Sequence, residues 1–91
     1  MKRFYIIFTG IVQGVGFRWR LLMSAQRYGL TGYARNLSNG NVDVEVQGHS
    51  SGIDAFLADA LKEDRFIQIY DYTIKEIPVV EDERKFDVKY Y

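Results

Sequence analysis

Apolar positions change their spacing repeatedly along this chain, and each change predicts an element. From Phe4 to Val12, Ile, Phe, Tyr and Val occupy both alternating faces, the pattern of a central strand covered on at least one side. Glycines end it, at Gln13-Gly14-Val15-Gly16. Beyond them Phe17, Leu21, Ala25 and Tyr28 recur at helical spacing up to Gly29, a residue suited to the position just past a helix end. Thr31 to Leu37 reads as a short strand, and Val42, Val44 and Val46, alternating with Asp43, Glu45 and Gln47, as its partner. Between the two, Ser38-Asn39-Gly40 predicts a hairpin with a type I′ turn, because Asn-Gly tolerates the positive φ that this turn needs at both central residues.

Ser50-Ser51-Gly52 supplies cap and turn chemistry before Ile53, Phe56, Leu57, Ala60 and Leu61, which recur as one face of an amphipathic helix. Ile67 to Val79 is rich in β-branched and aromatic residues, but its alternation slips near Tyr70-Asp71-Tyr72, so a bulge is expected there. A charged connection, Glu81-Asp82-Glu83-Arg84-Lys85, leads to a last strand in which Phe86, Val88 and Tyr90 alternate with Asp87, Lys89 and Tyr91. The order β-α-β-β-α-β plus a terminal strand predicts an α+β, ferredoxin-like sandwich: one domain over residues 1–91, with an antiparallel sheet and both helices on one face. That fold serves many functions, so chemistry has to be argued from residues.

Composition narrows the chemistry. The chain has 91 residues, 47% hydrophobic and 15% aromatic, which excludes disordered and low-complexity classes. Twelve Lys and Arg balance twelve Asp and Glu, so the basic excess that drives nucleic-acid binding is missing. With no cysteine and one histidine, thiolate nucleophiles, disulfides and His or Cys metal clusters are excluded, and a cytoplasmic setting is compatible. The apolar run near the N-terminus is cut by Thr9-Gly10, far short of a membrane span.

The stretch Gly10 to Arg18 joins a buried strand to a helix through closely spaced glycines. Successive N–H groups in such a turn converge and, with the free N–H groups of the first helical turn, make a cradle for an anion. By spacing alone the same segment also serves as a tight connector. Arg18 favours the anion, since a cation in the first turn opposes the helix dipole unless a bound anion reverses the penalty, and its fork matches two phosphate oxygens. A salt-bridged or solvated Arg remains the bland reading. No third glycine of a dinucleotide fingerprint and no Gly-Lys-Ser/Thr is present, so a nucleotide is not implied. Asn36, ending a strand before the hairpin, reads either as a turn former or as an amide that orients a water. Whether it meets the glycine loop is not decided by sequence. His49 reads as solvated, Asp43 and Glu45 as the water-facing side of their strand, and Tyr70, Tyr72, Tyr90 and Tyr91 as core or edge packing.

Two segments, Gly10 to Arg18 and Gly32-Tyr33-Ala34-Arg35-Asn36 continuing to Gly48, resemble the two signatures of the acylphosphatase family, and the likeness spans essentially the whole chain. The resemblance implies hydrolysis of acyl phosphates with no metal or cofactor, by a cytoplasmic monomer whose partners are a small acyl phosphate and inorganic phosphate, without nucleic acid or membrane. It further implies that Arg18 and the Gln13–Phe17 amides bind the phosphoryl group while Asn36 orients the attacking water. Phe8 and Asn39 depart from the commoner family residues, an aliphatic and an Asp, without touching those groups. The rival is a non-catalytic phosphate- or anion-binding regulatory module on the same fold. An RNA-recognition domain is disfavoured because Val42-Asp43-Val44-Glu45-Val46 is acidic where such a domain carries basic and aromatic residues. A chain that starts and ends with the fold is expected to act alone rather than as a fragment of a larger enzyme.

Overall fold

The computed structural model describes residues 1–90. Seven elements follow in order: β1 (Lys2–Ile11), α1 (Phe17–Arg27), β2 (Thr31–Asn36), β3 (Val42–Gly48), α2 (Ser50–Ala60), β4 (Gln68–Ile77) and β5 (Phe86–Tyr90). The sheet order is β4-β1-β3-β2-β5. This is the expected ferredoxin-like α+β arrangement with an extra strand, with one correction to the sheet. The first four strands pair antiparallel, whereas β5 pairs parallel with β2, from Gly32 opposite Phe86 to Asn36 opposite Tyr90.

The reason lies in the connection. β4 and β5 occupy opposite edges, four inter-strand steps of about 4.8 Å apart. The eight residues from Pro78 to Lys85 cross the end of the sheet, tied down where the Gln47 amide exchanges two 2.8 Å hydrogen bonds with the Val80 backbone and where Glu83 accepts from Arg3 at 2.8 and 3.1 Å. Crossing at one end returns the chain antiparallel to β4, which is the direction of β2.

Val42, Val44 and Val46 of β3 and Ile6 and Phe8 of β1 fill the face beneath the helices, where Phe17, Leu21 and Ala25 of α1 and Ile53, Phe56 and Ala60 of α2 pack onto them. Removing this apolar surface from water is the main source of stability. Ser24 of α1 donates to Asp59 of α2 at 2.8 Å and holds that carboxyl below the usual carboxylate range. Helix α2 starts earlier than its apolar spacing predicts: Ser50 to Gly52 form its first turn, and His49 is the capping residue, without a side-chain cap.

The expected bulge is present. Gly10 pairs with Ile69 and Thr9 with Asp71, leaving Tyr70 as the extra residue. Gly10 adopts φ 146°, and a Cβ there would stand 2.1 Å from the Gln68 carbonyl oxygen. The hairpin is where it is expected, but its turn is not type I′. Gly40 alone of its loop has positive φ, its N–H donates to the Leu37 carbonyl, and Asn41 N–H donates to Asn39 Oδ1 at 3.0 Å. Three backbone residues beyond the strand pair, closed by Leu37 N–H to Asn41 carbonyl at 2.9 Å, accommodate a type I-like turn followed by a left-handed glycine.

Candidate functional site

The glycine loop leaves β1 at the bulged end of the sheet and runs straight into α1. Gly14 and Gly16 take φ of 73° and 82°, and a Cβ at either would meet nothing, so glycine is needed for the backbone conformation and not for space. Gly16 is the left-handed N-cap of α1, with no side-chain cap and no acidic residue in the first turn. Among the described residues, none of the backbone N–H groups from Gln13 to Phe17 donates to a backbone carbonyl. An uncapped helix start preceded by a curled run of free amides concentrates positive potential at one point. Phe17 fixes that start from beneath, its ring buried edge-on against Phe8 with centroids 5.1 Å apart.

Arg18, in the first turn, extends to β5. Its Nη1 donates to the Lys89 carbonyl at 2.9 Å and its guanidinium lies 4.2 Å from the centre of the Tyr90 ring. Both contacts restrict the guanidinium without neutralising it, which keeps its charge for a ligand. A cleft of about 210 Å³ opens here, lined by Val12, Gly14, Gly16, Phe17, Arg18, Trp19 and Val88.

Asn36 ends β2, paired to Val42 on one side and Tyr90 on the other. It is 8% exposed, and its Oδ1 is buried with no hydrogen-bond partner among the described residues. A buried carbonyl left unpaired costs about 1–3 kcal/mol, so such an acceptor signals a ligand or water that completes it. The meeting of loop and strand end, undecided by sequence, is made by Gln13: its Nε2 donates to the carbonyls of Leu37 and Asn41 at 2.7 and 2.8 Å, stitching the glycine loop to the hairpin that follows Asn36. Tyr90 completes the link, stacked on Arg18 and paired with Asn36 in the sheet.

A family model described as acylphosphatase matches residues 4–88. The chain belongs to the acylphosphatase family. It is 40% identical to an acylphosphatase of Clostridium beijerinckii over 90 residues, covering 99% of this chain and 100% of that one. The crystal structure of acylphosphatase from Bacillus subtilis superposes with a TM-score of 0.90 at 28% identity, covering 97% and 98% of the two chains. The T. kodakarensis HypF structure matches at 36% identity and TM-score 0.85, covering 98% of this chain but 12% of HypF. An acylphosphatase is an enzyme, and this chain shares that family.

Other polar residues lie elsewhere in this acylphosphatase-family fold. His49 follows Gly48, which pairs with Lys2 at the opposite end of β1 from the glycine loop. Asp43 and Glu45 correct the water-facing expectation. Asp43 is fully buried on the sheet face away from the helices, accepting from Tyr5 Oη at 2.8 Å and from Arg35 at 3.0 and 2.6 Å. Glu45 accepts from Arg3 Nε and Tyr33 Oη, both at 2.8 Å, and burial together with that bond pushes the Tyr33 hydroxyl up. These charges lock the open face and do not reach the cleft. Tyr72 packs on Phe8, Tyr70 sits exposed on the bulge, and Tyr91 lies outside the described residues. Tyr90, read from sequence as packing, is 74% exposed under Arg18. The alternation Phe86, Val88, Tyr90 was the available signal, because it puts Val88 and Tyr90 on the α1 side of the strand.

Proposed function

We propose that this acylphosphatase-family enzyme hydrolyses carboxyl–phosphate mixed anhydrides to a carboxylate and inorganic phosphate, with the groups at the glycine loop and the end of β2 as its machinery. The observation that carries the reading is the run of free amides at an uncapped helix start with Arg18 in its first turn. In this reading the Gln13, Gly14, Val15, Gly16 and Phe17 amides and Arg18 hold the non-bridging phosphoryl oxygens, where negative charge concentrates in the transition state. The Oδ1 of Asn36 accepts a hydrogen bond from the attacking water, satisfying its missing partner and aiming the water at phosphorus. The P–O bond to the acyl group breaks, the carboxylate departs with the electron pair, and a non-bridging oxygen takes the water proton. A carboxylate is a weak base, so departure needs neither a general acid nor a Lewis acid, and the reaction proceeds without metal or cofactor.

The test is hydrolysis of benzoyl phosphate by the purified protein in excess chelator, with Arg18→Ala alongside. Turnover by the wild type, reduced roughly 100- to 1,000-fold in the variant, is expected. Phosphate bound at the loop without turnover would instead assign the chain to the anion-binding regulatory class.

A further inference from the structure

The cleft beside Arg18 carries apolar surface that phosphate chemistry does not use. Trp19 is 64% exposed and Val88 43% exposed, and both line the same cleft as Arg18 and the loop glycines. They arrive from different elements, Trp19 from the first turn of α1 and Val88 from the middle of β5. A bulky ring left in water at the start of a helix contributes nothing to the core. Placed next to an anion cradle, it turns the cleft into an amphipathic site with a cationic end and an apolar wall.

Orientation decides what meets that wall. In-line displacement puts the attacking water and the departing carboxylate on opposite sides of phosphorus. Asn36 is more than nine-tenths buried, so a water held by its Oδ1 approaches from the protein side. The acyl group then points outward, toward the exposed rim where Trp19 and Val88 stand.

We propose that Trp19 and Val88 form a subsite for the acyl group and make the enzyme selective for aromatic and bulky aliphatic acyl phosphates over acetyl phosphate. The proposal rests on the phosphate-loop reading above. An aromatic acyl group stacks on the indole face and removes both surfaces from water, while an acetyl group is too short to cover them.

The experiment compares kcat/KM for benzoyl and acetyl phosphate in the wild type, Trp19→Ala, Val88→Ala and, as a control on the distant edge strand β4, Ile74→Ala. The benzoyl-to-acetyl ratio is expected to fall about tenfold in Trp19→Ala and less in Val88→Ala, the discrimination one apolar contact supplies, and to stay at the wild-type value in Ile74→Ala. A binding readout independent of turnover comes from Trp19 itself, the one tryptophan of the chain. Phenylphosphonate is expected to shift its fluorescence beyond the shift inorganic phosphate produces. Equal ratios in the wild type and both cleft variants, or identical fluorescence with the two ligands, overturn the subsite while leaving acyl phosphate hydrolysis intact. Failure of the wild type to hydrolyse either substrate overturns the phosphate-loop reading and the subsite with it.

Discussion

Asn36 shows how one unpaired atom separates two readings of a residue. A turn former would spend its side-chain oxygen on a nearby backbone N–H, as Asn39 does with Asn41, yet the Asn36 oxygen is buried and has no hydrogen-bond partner among the described residues. Asn36→Ala is therefore expected to lower kcat by roughly 100-fold while changing inhibition by inorganic phosphate less than about threefold, because Arg18 and the amides hold the anion. Steady-state kinetics with phosphate as competitor checks both numbers, and an unchanged kcat would remove Asn36 from the mechanism. Asp43 teaches the opposite lesson. Alternation correctly put it on the face away from the helices, but alternation counts faces and not the side chains lying across them. Tyr5 and Arg35 cover Asp43 completely, so a charge expected in water is buried with its partners.

At the scale of elements, the bulge in β4 and the glycine opposite it form one device. Where Tyr70 is squeezed out, the backbone of β1 comes so close to Gln68 that a side chain at position 10 has no room and the wrong φ. Gly10→Ala is expected to destabilise the fold by about 1–3 kcal/mol from backbone strain alone, with a lowered midpoint in urea, while Gly29→Ala, whose Cβ would meet nothing, loses less. Equal midpoints for the two variants would refute the close approach at position 10. The slipped alternation at Tyr70-Asp71-Tyr72 made this bulge legible in the sequence, as the valines of β3 did for the hairpin. The turn type was not legible, since Asn-Gly suits several turns and the loop length that selects among them depends on where pairing stops. Nor was the direction of β5, which follows from a connector whose anchors, Arg3 and Gln47, lie some 80 and 33 residues away from Glu83 and Val80. The tight glycine loop was legible because it is local. Its joining to the hairpin that follows Asn36 was not, because it depends on the Gln13 side chain reaching across the fold.

For the molecule as a whole, net charge is zero, yet charges are distributed so that one carboxylate ties the connector to the sheet. Burial would raise the Glu83 carboxyl, but hydrogen bonds from Arg3 and Thr31 and the Arg3 charge bring it below its ordinary value of 4.5. Its contribution is therefore complete above that value and is lost as pH falls through the lower folded-state value. Thermal melts from neutral to roughly pH 3 are expected to show a lower Tm for Glu83→Gln at neutral pH and a smaller acid-induced drop than the wild type. Parallel curves for the two proteins would detach Glu83 from acid stability. The same connector delivers β5, and β5 delivers Tyr90 and the Lys89 carbonyl to Arg18, 71 residues earlier in the chain. Time enters the structure at this point. During synthesis the glycine loop and Arg18 leave the ribosome well ahead of the strand that holds the guanidinium, whose Lys89 lies 71 residues further on. A nascent chain can collapse around its valines while Arg18 still lacks its anchors, and a contact closed across so long a loop forms slowly. In the proposed mechanism the phosphate-binding arginine is therefore set only once β5 has docked, so the family's signature is made well before the arrangement that would use it.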